Sequence, residues 1–156
     1  MKRMIGIIIS TAALLFSVVP FAFADKLHWG FKKATDGNQI EISSELENML
    51  AKYDAIYRGD PQSKTIYLTF DNGYENGFTE RILDALKEEN VPATFFLTGH
   101  YVTSASDLVK RMVKDGHIIG NHSDKHPNMA RLSEEQMVTE WQNFDKKLKE
   151  VTGLER

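Results

Sequence analysis

The chain has 156 residues, 42% of them hydrophobic, a net charge of −3 and no cysteine. This length and apolar content suit a single globular domain, and the acidic balance argues against nucleic acid, which selects clustered Lys and Arg. Without cysteine there are no disulfides or thiolate sites, so any metal must rest on His, carboxylate or amide ligands.

Residues 1–24 read as a signal peptide. Lys2 and Arg3 form a positive start, Ile5 to Val19 an apolar run, Pro20 a break, and Ala22-Phe23-Ala24 a small-residue cleavage site. The competing reading is a retained N-terminal membrane anchor, because Ile5 to Phe23 nearly reaches a bilayer span. Either way the chain is exported, to the cell wall or beyond, and meets the membrane only through this segment. Export without disulfides fits a bacterium.

Residues 25–63 are expected to form an extension with one helix. Gly30, Gly37 and polar residues give 25–41 no period, and His28 beside Trp29 reads as structural. Leu46, Met49, Leu50, Tyr53, Ile56 and Tyr57 then recur at three and four, which predicts an amphipathic helix from Ser44 to Tyr57. Ser43 or Ser44 would cap it, and Gly59-Asp60-Pro61 would end it.

From Lys64 the pattern becomes βαβαβα. Lys64 to Phe70 is β-branched and aromatic, hence a strand, with Asp71-Asn72-Gly73 as the turn behind it. A helix over 76–90, a strand over 91–97 ending at Thr98-Gly99-His100, a helix over 107–115 stopped by Gly116, and a short strand over 117–121 follow. The last helix runs from Ser133 to Val151, with Ser133 and Gln136 as a capping box and Trp141 and Phe144 on its apolar stripe. Such alternation predicts an α/β fold on a parallel sheet, whose working residues gather at the C-terminal strand ends.

Asp71, Asn72, His100, His122 and His126 all fall at those ends. Taken separately, Asp-Asn-Gly reads as a turn and the two histidines of His122-Ser123-Asp124-Lys125-His126 as loop residues. Together they supply a carboxylate, an amide oxygen and two imidazoles, the set that a mononuclear metal hydrolase needs. His100 and His117 read as surface or packing residues.

The two segments resemble the motifs of one family. Thr69-Phe70-Asp71-Asn72-Gly73 is similar to the first motif of the polysaccharide deacetylases, the NodB-homology esterases of carbohydrate esterase family 4, and His122 to His126 is similar to their second, H-S/T-x-x-H. The longer run Asp71 to Gly77 (DNGYENG) resembles the δ-lactam-biosynthetic subgroup, which acts on spore peptidoglycan. The resemblance implies a distorted (β/α) barrel, with 64–156 supplying its first three strand–helix units. It implies Asp71 as catalytic base, and Asn72, His122 and His126 as ligands of a divalent metal, zinc before cobalt, nickel or manganese. The implied partner is a peptidoglycan glycan strand, and the implied reaction is removal of the N-acetyl group of N-acetylmuramic acid, on the way to muramic δ-lactam.

Two departures from the family pattern stand out. Asn72 replaces the usual second aspartate and so removes one negative charge from the ligand set. The family's later motifs, which bring a base-orienting arginine, an acetyl pocket and a Leu-His pair carrying the general acid, do not occur before Arg156. The chain as written is therefore expected to be truncated and inactive alone. One rival reading is a non-catalytic glycan-binding fragment of the cell wall. Another is a phosphoesterase or other metal hydrolase, for which only Glu134 and Glu135 follow His126 closely enough to add carboxylates.

Overall fold

The computed structural model describes residues 29–35 and 37–155. The expected signal segment and His28 lie outside the described residues. Helix α1 (Ser44–Lys52) is followed by β1 (Thr69–Asn72), α2 (Thr79–Glu88), β2 (Thr94–Leu97), α3 (Gly99–Ser104), α4 (Ser106–Lys114), β3 (Ile118–Asn121) and α5 (Glu134–Thr152), with a 3₁₀ turn at Met129–Arg131. The strands form one parallel sheet in the order β1-β2-β3. The alternation predicted from sequence is present.

Register organises both core and site. Phe70, Phe95 and Ile119 share one rung, Asp71, Phe96 and Gly120 the next, and Asn72, Leu97 and Asn121 the last. Phe95 and Leu97 point to the same face, since side chains alternate along a strand. There they meet Leu83 and Leu86 of α2, Tyr101 and Val102 of α3, Val109 and Met112 of α4, and Phe144 and Leu148 of α5. Phe70 stacks on Phe95 with ring centroids 4.9 Å apart. On the opposite face Phe96 occupies the space beside Gly120, where an added Cβ would lie 2.3 Å from its ring.

Several boundaries differ from expectation, each for a local reason. The ladder begins at Thr69 rather than Lys64, although Leu68 O still accepts from Thr94 N at 2.9 Å. Its partner strand starts only after Pro92, which has no N–H to give, and Ile66 and Tyr67 are left exposed. Asp71 and Asn72 belong to the strand and not to a turn, because Phe96 and Leu97 pair with them. Thr98-Gly99-His100 opens a helix: Thr98 Oγ1 accepts from Tyr101 N at 3.2 Å, so the chain turns directly from β2 into α3. Helix α2 starts later than Asn76 because Gly77 takes a left-handed φ of 81°.

The last helix agrees with its sequence. Ser133 and Gln136 form the capping box, and Gly153 ends the helix with φ 77°. Phe144 is fully buried, whereas Trp141 is 48% exposed and lies off the apolar stripe. Helix α1 has the predicted N-cap, Ser43, but stops at Lys52 rather than Tyr57, and Asp54 follows with φ 52°. None of its residues is buried. Leu46, Met49 and Leu50 of its apolar period are only partly covered, and polar contacts such as Arg58 Nη2 to Glu47 Oε1 at 3.0 Å add to the hold on the extension. Among the described residues no helix is long and apolar enough to cross a membrane.

Candidate active site

The loops that leave the three strands converge on one open pocket of about 420 Å³. The end of β1 and the first loop contribute Asp71, Gly73 and Tyr74, the turn from β2 into α3 Thr98 and His100, and the third loop His122, Asp124, Lys125 and His126. Parallel strands end on the same side, so residues distant in sequence are gathered by the sheet itself. Asp71, His122 and His126 meet there as the sequence predicts. His100 joins them on the first turn of α3, where sequence reading gave it no role. A larger hollow of about 620 Å³ beside His117 lies at the opposite end of β3 and has no such group of side chains.

Asn72 is placed differently from its neighbours. It shares a rung with Leu97, whose side chain is in the core, and it is absent from the pocket lining. Its backbone oxygen accepts from Thr98 N at 3.1 Å, while its side-chain Oδ1 is buried with no hydrogen-bond partner. A buried acceptor without a donor is rare, because it forfeits hydration for nothing.

The first loop is held by hydrogen bonds. Thr98 Oγ1 donates to Gly73 O at 2.9 Å. The Glu75 carboxylate accepts from Gly77 N at 2.6 Å, from Thr79 N at 3.4 Å and from the Tyr101 hydroxyl at 2.6 Å. It thereby caps α2, whose own N-cap residue, Phe78, offers no side-chain acceptor. Burial works to raise the Glu75 pKa, but these donors and the Thr79 hydroxyl prevail and hold it at about 2. Burial, helped by Glu75, pushes the Tyr101 hydroxyl above its ordinary value, with Thr79 and Asn72 acting against the shift.

The third loop is held by strain and charge. The His122 and His126 rings lie side by side, with centroids 4.6 Å apart and planes inclined at 47°. Ser123 and His126 both adopt left-handed backbone, with φ 65° and 54°, a conformation costing ~1–2 kcal/mol for a residue with a Cβ. Three tethers offset that cost. Ser123 N donates to Asn121 Oδ1 at 2.9 Å, His126 N to Ser123 Oγ at 2.9 Å, and Lys125 N to Glu140 Oε2 at 2.8 Å. Asp124, only 3% exposed, accepts from Lys147 Nζ at 2.6 Å. Gly99 makes room for this carboxylate: a Cβ at position 99 would sit 1.9 Å from Asp124 Oδ1.

Among the described residues no three His, Cys, Asp or Glu side chains form a group able to hold a metal ion. A cation here would need an amide ligand beside the two imidazoles. Two imidazoles and an amide oxygen are donors suited to a borderline divalent ion; Asn72 Oδ1 has no hydrogen-bond partner but lies outside the pocket lining. Sequence reasoning missed Glu75, Tyr101, Asp124 and Lys147. Their partners lie 26 and 23 positions away, beyond any local pattern; the one available signal was the presence of Glu75 and Asp124 inside the motif runs.

Comparison with known proteins identifies the family. Residues 58–156 match the family model described as Polysaccharide deacetylase. A 30.6 kDa protein of Geobacillus stearothermophilus is 54% identical over 129 residues, covering 83% of this chain and 49% of the relative. The peptidoglycan-N-acetylmuramic acid deacetylase PdaA of Bacillus subtilis is 43% identical over the same length, with the same 83% and 49% coverage. Its solved structure, a family 4 carbohydrate esterase, superposes with a TM-score of 0.81 over 83% of this chain and 56% of that one. A family 4 carbohydrate esterase from Bacillus anthracis, 49% identical, gives 0.70 over 72% and 55%. The chain thus spans about half the length of the curated relatives it matches. With the family model covering 58–156 and the two motifs at the C-terminal ends of the outer strands β1 and β3 of the parallel sheet, the chain belongs to the polysaccharide deacetylase family.

Proposed function

We propose that the protein is a metal-dependent N-deacetylase of cell-wall polysaccharide, with N-acetylmuramic acid of peptidoglycan as its substrate sugar and muramic δ-lactam synthesis as its context. The observation that carries this reading is the meeting of Asp71, His122 and His126 in one pocket; the Asn72 Oδ1, buried and without a hydrogen-bond partner, is the amide acceptor left unspent next to Asp71 in sequence. The 43% identity to an N-acetylmuramic acid deacetylase supports the choice of sugar. Export fits a substrate that lies outside the cell.

Asn72, His122 and His126 would hold a divalent cation, zinc being suited to this donor set. When bound, such an ion supplies Lewis acidity toward the acetamide carbonyl and lowers the pKa of water to ~7. Asp71 is exposed on the pocket wall, where its carboxylate can take the proton of an attacking water. The exposed Tyr74 ring, at the pocket rim, offers a flat apolar face to a sugar. His100 and Lys125 line the same pocket. Collapse of the amide then needs a proton at the departing nitrogen, the role that the family pattern gives to the histidine of its Leu-His pair and not to Asp71.

The test is acetate release from N-acetylated, stem-peptide-free glycan strands in the presence of zinc, run beside the Asp71→Asn variant. In a chain that also carries the family's arginine and Leu-His motifs the reading expects zinc-dependent release that Asp71→Asn lowers by ~10²–10⁴, the usual weight of general acid–base assistance, while the 156 residues alone are expected to release little or none. Release unaffected by the substitution would remove Asp71 from its role. Glycan binding without any release by that longer chain would favour the binding-fragment rival.

A further inference from the structure

We infer that Asp124 and Lys147 form a charge latch through which α5 positions the two imidazoles of the third loop. The inference rests on the metal-site reading above and assigns two positioning residues to it. Asp124 lies between His122 and His126 in sequence and lines the same pocket, yet it is almost wholly buried and turned toward α5. A buried carboxylate is stable only when paired and hydrogen-bonded. Its oxygen is 2.6 Å from the Lys147 ammonium, and Lys147 is itself two-thirds covered.

Three further observations place the latch at the histidines. Two loop residues, one of them His126, carry left-handed backbone that the loop would relax from if released. The loop and the end of β3 are tied to α5 by three other hydrogen bonds, Lys125 N to Glu140 and Asn121 Nδ2 to both Trp141 O and Asp145 Oδ1 at 3.1 Å. Gly99 N donates to Ser123 O at 3.0 Å, and the missing Cβ at 99 is the space that Asp124 fills. Asp124 is thus seated from below by α3 and gripped from the side by α5. The flanking His122 and His126 line the pocket on either side of it, and its own charge is neutralised by Lys147 without being offered as a ligand. No group of three His, Asp or Glu side chains able to hold a metal occurs there among the described residues, in keeping with that assignment.

The experiment uses the full chain and three variants, Lys147→Met, Lys147→Arg and Asp124→Asn, with two readouts. Amide hydrogen exchange at Lys125 and His126 is followed without metal, and zinc affinity is measured by competition with a chromophoric chelator. Lys147→Met should speed exchange at both amides tenfold or more and weaken zinc by ~10–100-fold, the usual loss when an outer partner of a ligand is removed. Lys147→Arg should restore most of both. Exchange at Gly77 and Thr79, in the first loop, should not move. Asp124→Asn keeps the shape of the side chain and should act in the same direction, so the idea stays open to refutation if Lys147→Met folds poorly. Unchanged exchange and unchanged affinity in a parent that binds zinc would overturn the latch. Tighter zinc binding by Lys147→Met would overturn it too, by making Asp124 a ligand. A parent that binds no zinc would overturn the metal reading, while the exchange data would still decide the latch.

Discussion

The two loops that frame the pocket are held by different means. The loop after β1 uses a glycine for its one left-handed position and fixes itself with hydrogen bonds to Glu75. The loop after β3 puts Ser123 and His126 in left-handed backbone and needs a helix on its far side to keep them there. The difference follows from what each loop must present. A single carboxylate at a strand end needs little shaping. Two imidazoles four residues apart in sequence must be brought to 4.6 Å, and no relaxed turn does this without help.

The sharpest test of that division is ligand loss. His122→Ala should cost on the order of 3 kcal/mol of zinc affinity, about one ligand's share of the ~10–16 kcal/mol typical of a four-ligand zinc site. Asn72→Ala should cost far less, because an amide oxygen is a weaker donor. Calorimetric titration of both variants ranks them, and equal losses would put the two loops on the same footing. Asn72→Asp should tighten binding by adding a charge.

Next in size is the first loop's own support. Tyr101→Phe deletes the hydroxyl that donates to Glu75 at 2.6 Å and faces Thr79 at 3.0 Å. A hydrogen bond to a charged group is worth ~1.5–3 kcal/mol, so urea unfolding should show a loss in that range. Exchange at Lys125 and His126 should stay as it was. Faster exchange there would mean that the loops share one support.

The pH dependence separates the site from the rest of the fold. Glu75 has a folded pKa of about 2, below its unfolded value of 4.5. Its contribution is therefore complete above pH 4.5 and is lost as pH falls toward 2. His117 responds sooner. Its Nδ1 accepts from Ala93 N at 3.2 Å, and its Nε2 is buried without a partner, so the neutral ring is the one that fits. Burial lowers its pKa from 6.5, with Asp115 opposing and Arg111 reinforcing the shift. Its contribution is complete above pH 6.5 and falls as the unfolded chain takes up the proton that the folded chain resists. Denaturation midpoints at pH 7.5 and 5.5 should differ in the parent and less in His117→Gln.

The smallest effect belongs to the N-terminal extension. Lys32 and Glu41 pair at 3.1 Å with 79% and 67% of their side chains exposed. Exposed pairs contribute ~0–1 kcal/mol, so Lys32→Ala should leave the unfolding midpoint almost unmoved and zinc affinity untouched.

What the sequence made legible follows the same contrast. The strands of the sheet, their parallel order and the gathering of Asp71, His122 and His126 were readable, because hydrophobic period and the rule of strand ends are local signals. The inclusion of Asp71 and Asn72 in β1 was not, since neither is a natural strand former and only the pairing with Phe96 and Leu97 holds them there. Helix α3 was hidden by Gly99, which looked like a stop and proved to be the clearance for Asp124. Trp141 looked like core and is half exposed, because the stripe of α5 runs through Phe144 and Leu148. Glu75 and Lys147 were invisible because their partners come from other elements.

Helix α5 has a consequence for which changes the gene can tolerate. It turns Phe144 and Leu148 to the core while Glu140, Asp145 and Lys147 reach the third loop. All five depend on one rotational setting, fixed at Ser133 by the capping box. A single inserted or deleted codon between 136 and 140 would rotate everything beyond it by ~100°, since a helix has 3.6 residues per turn. Core and loop contacts would then be lost together, whereas the same change between 59 and 64, in the polar approach to β1, would be absorbed. Length variation among natural relatives should accordingly collect before Thr69 and be missing from α5.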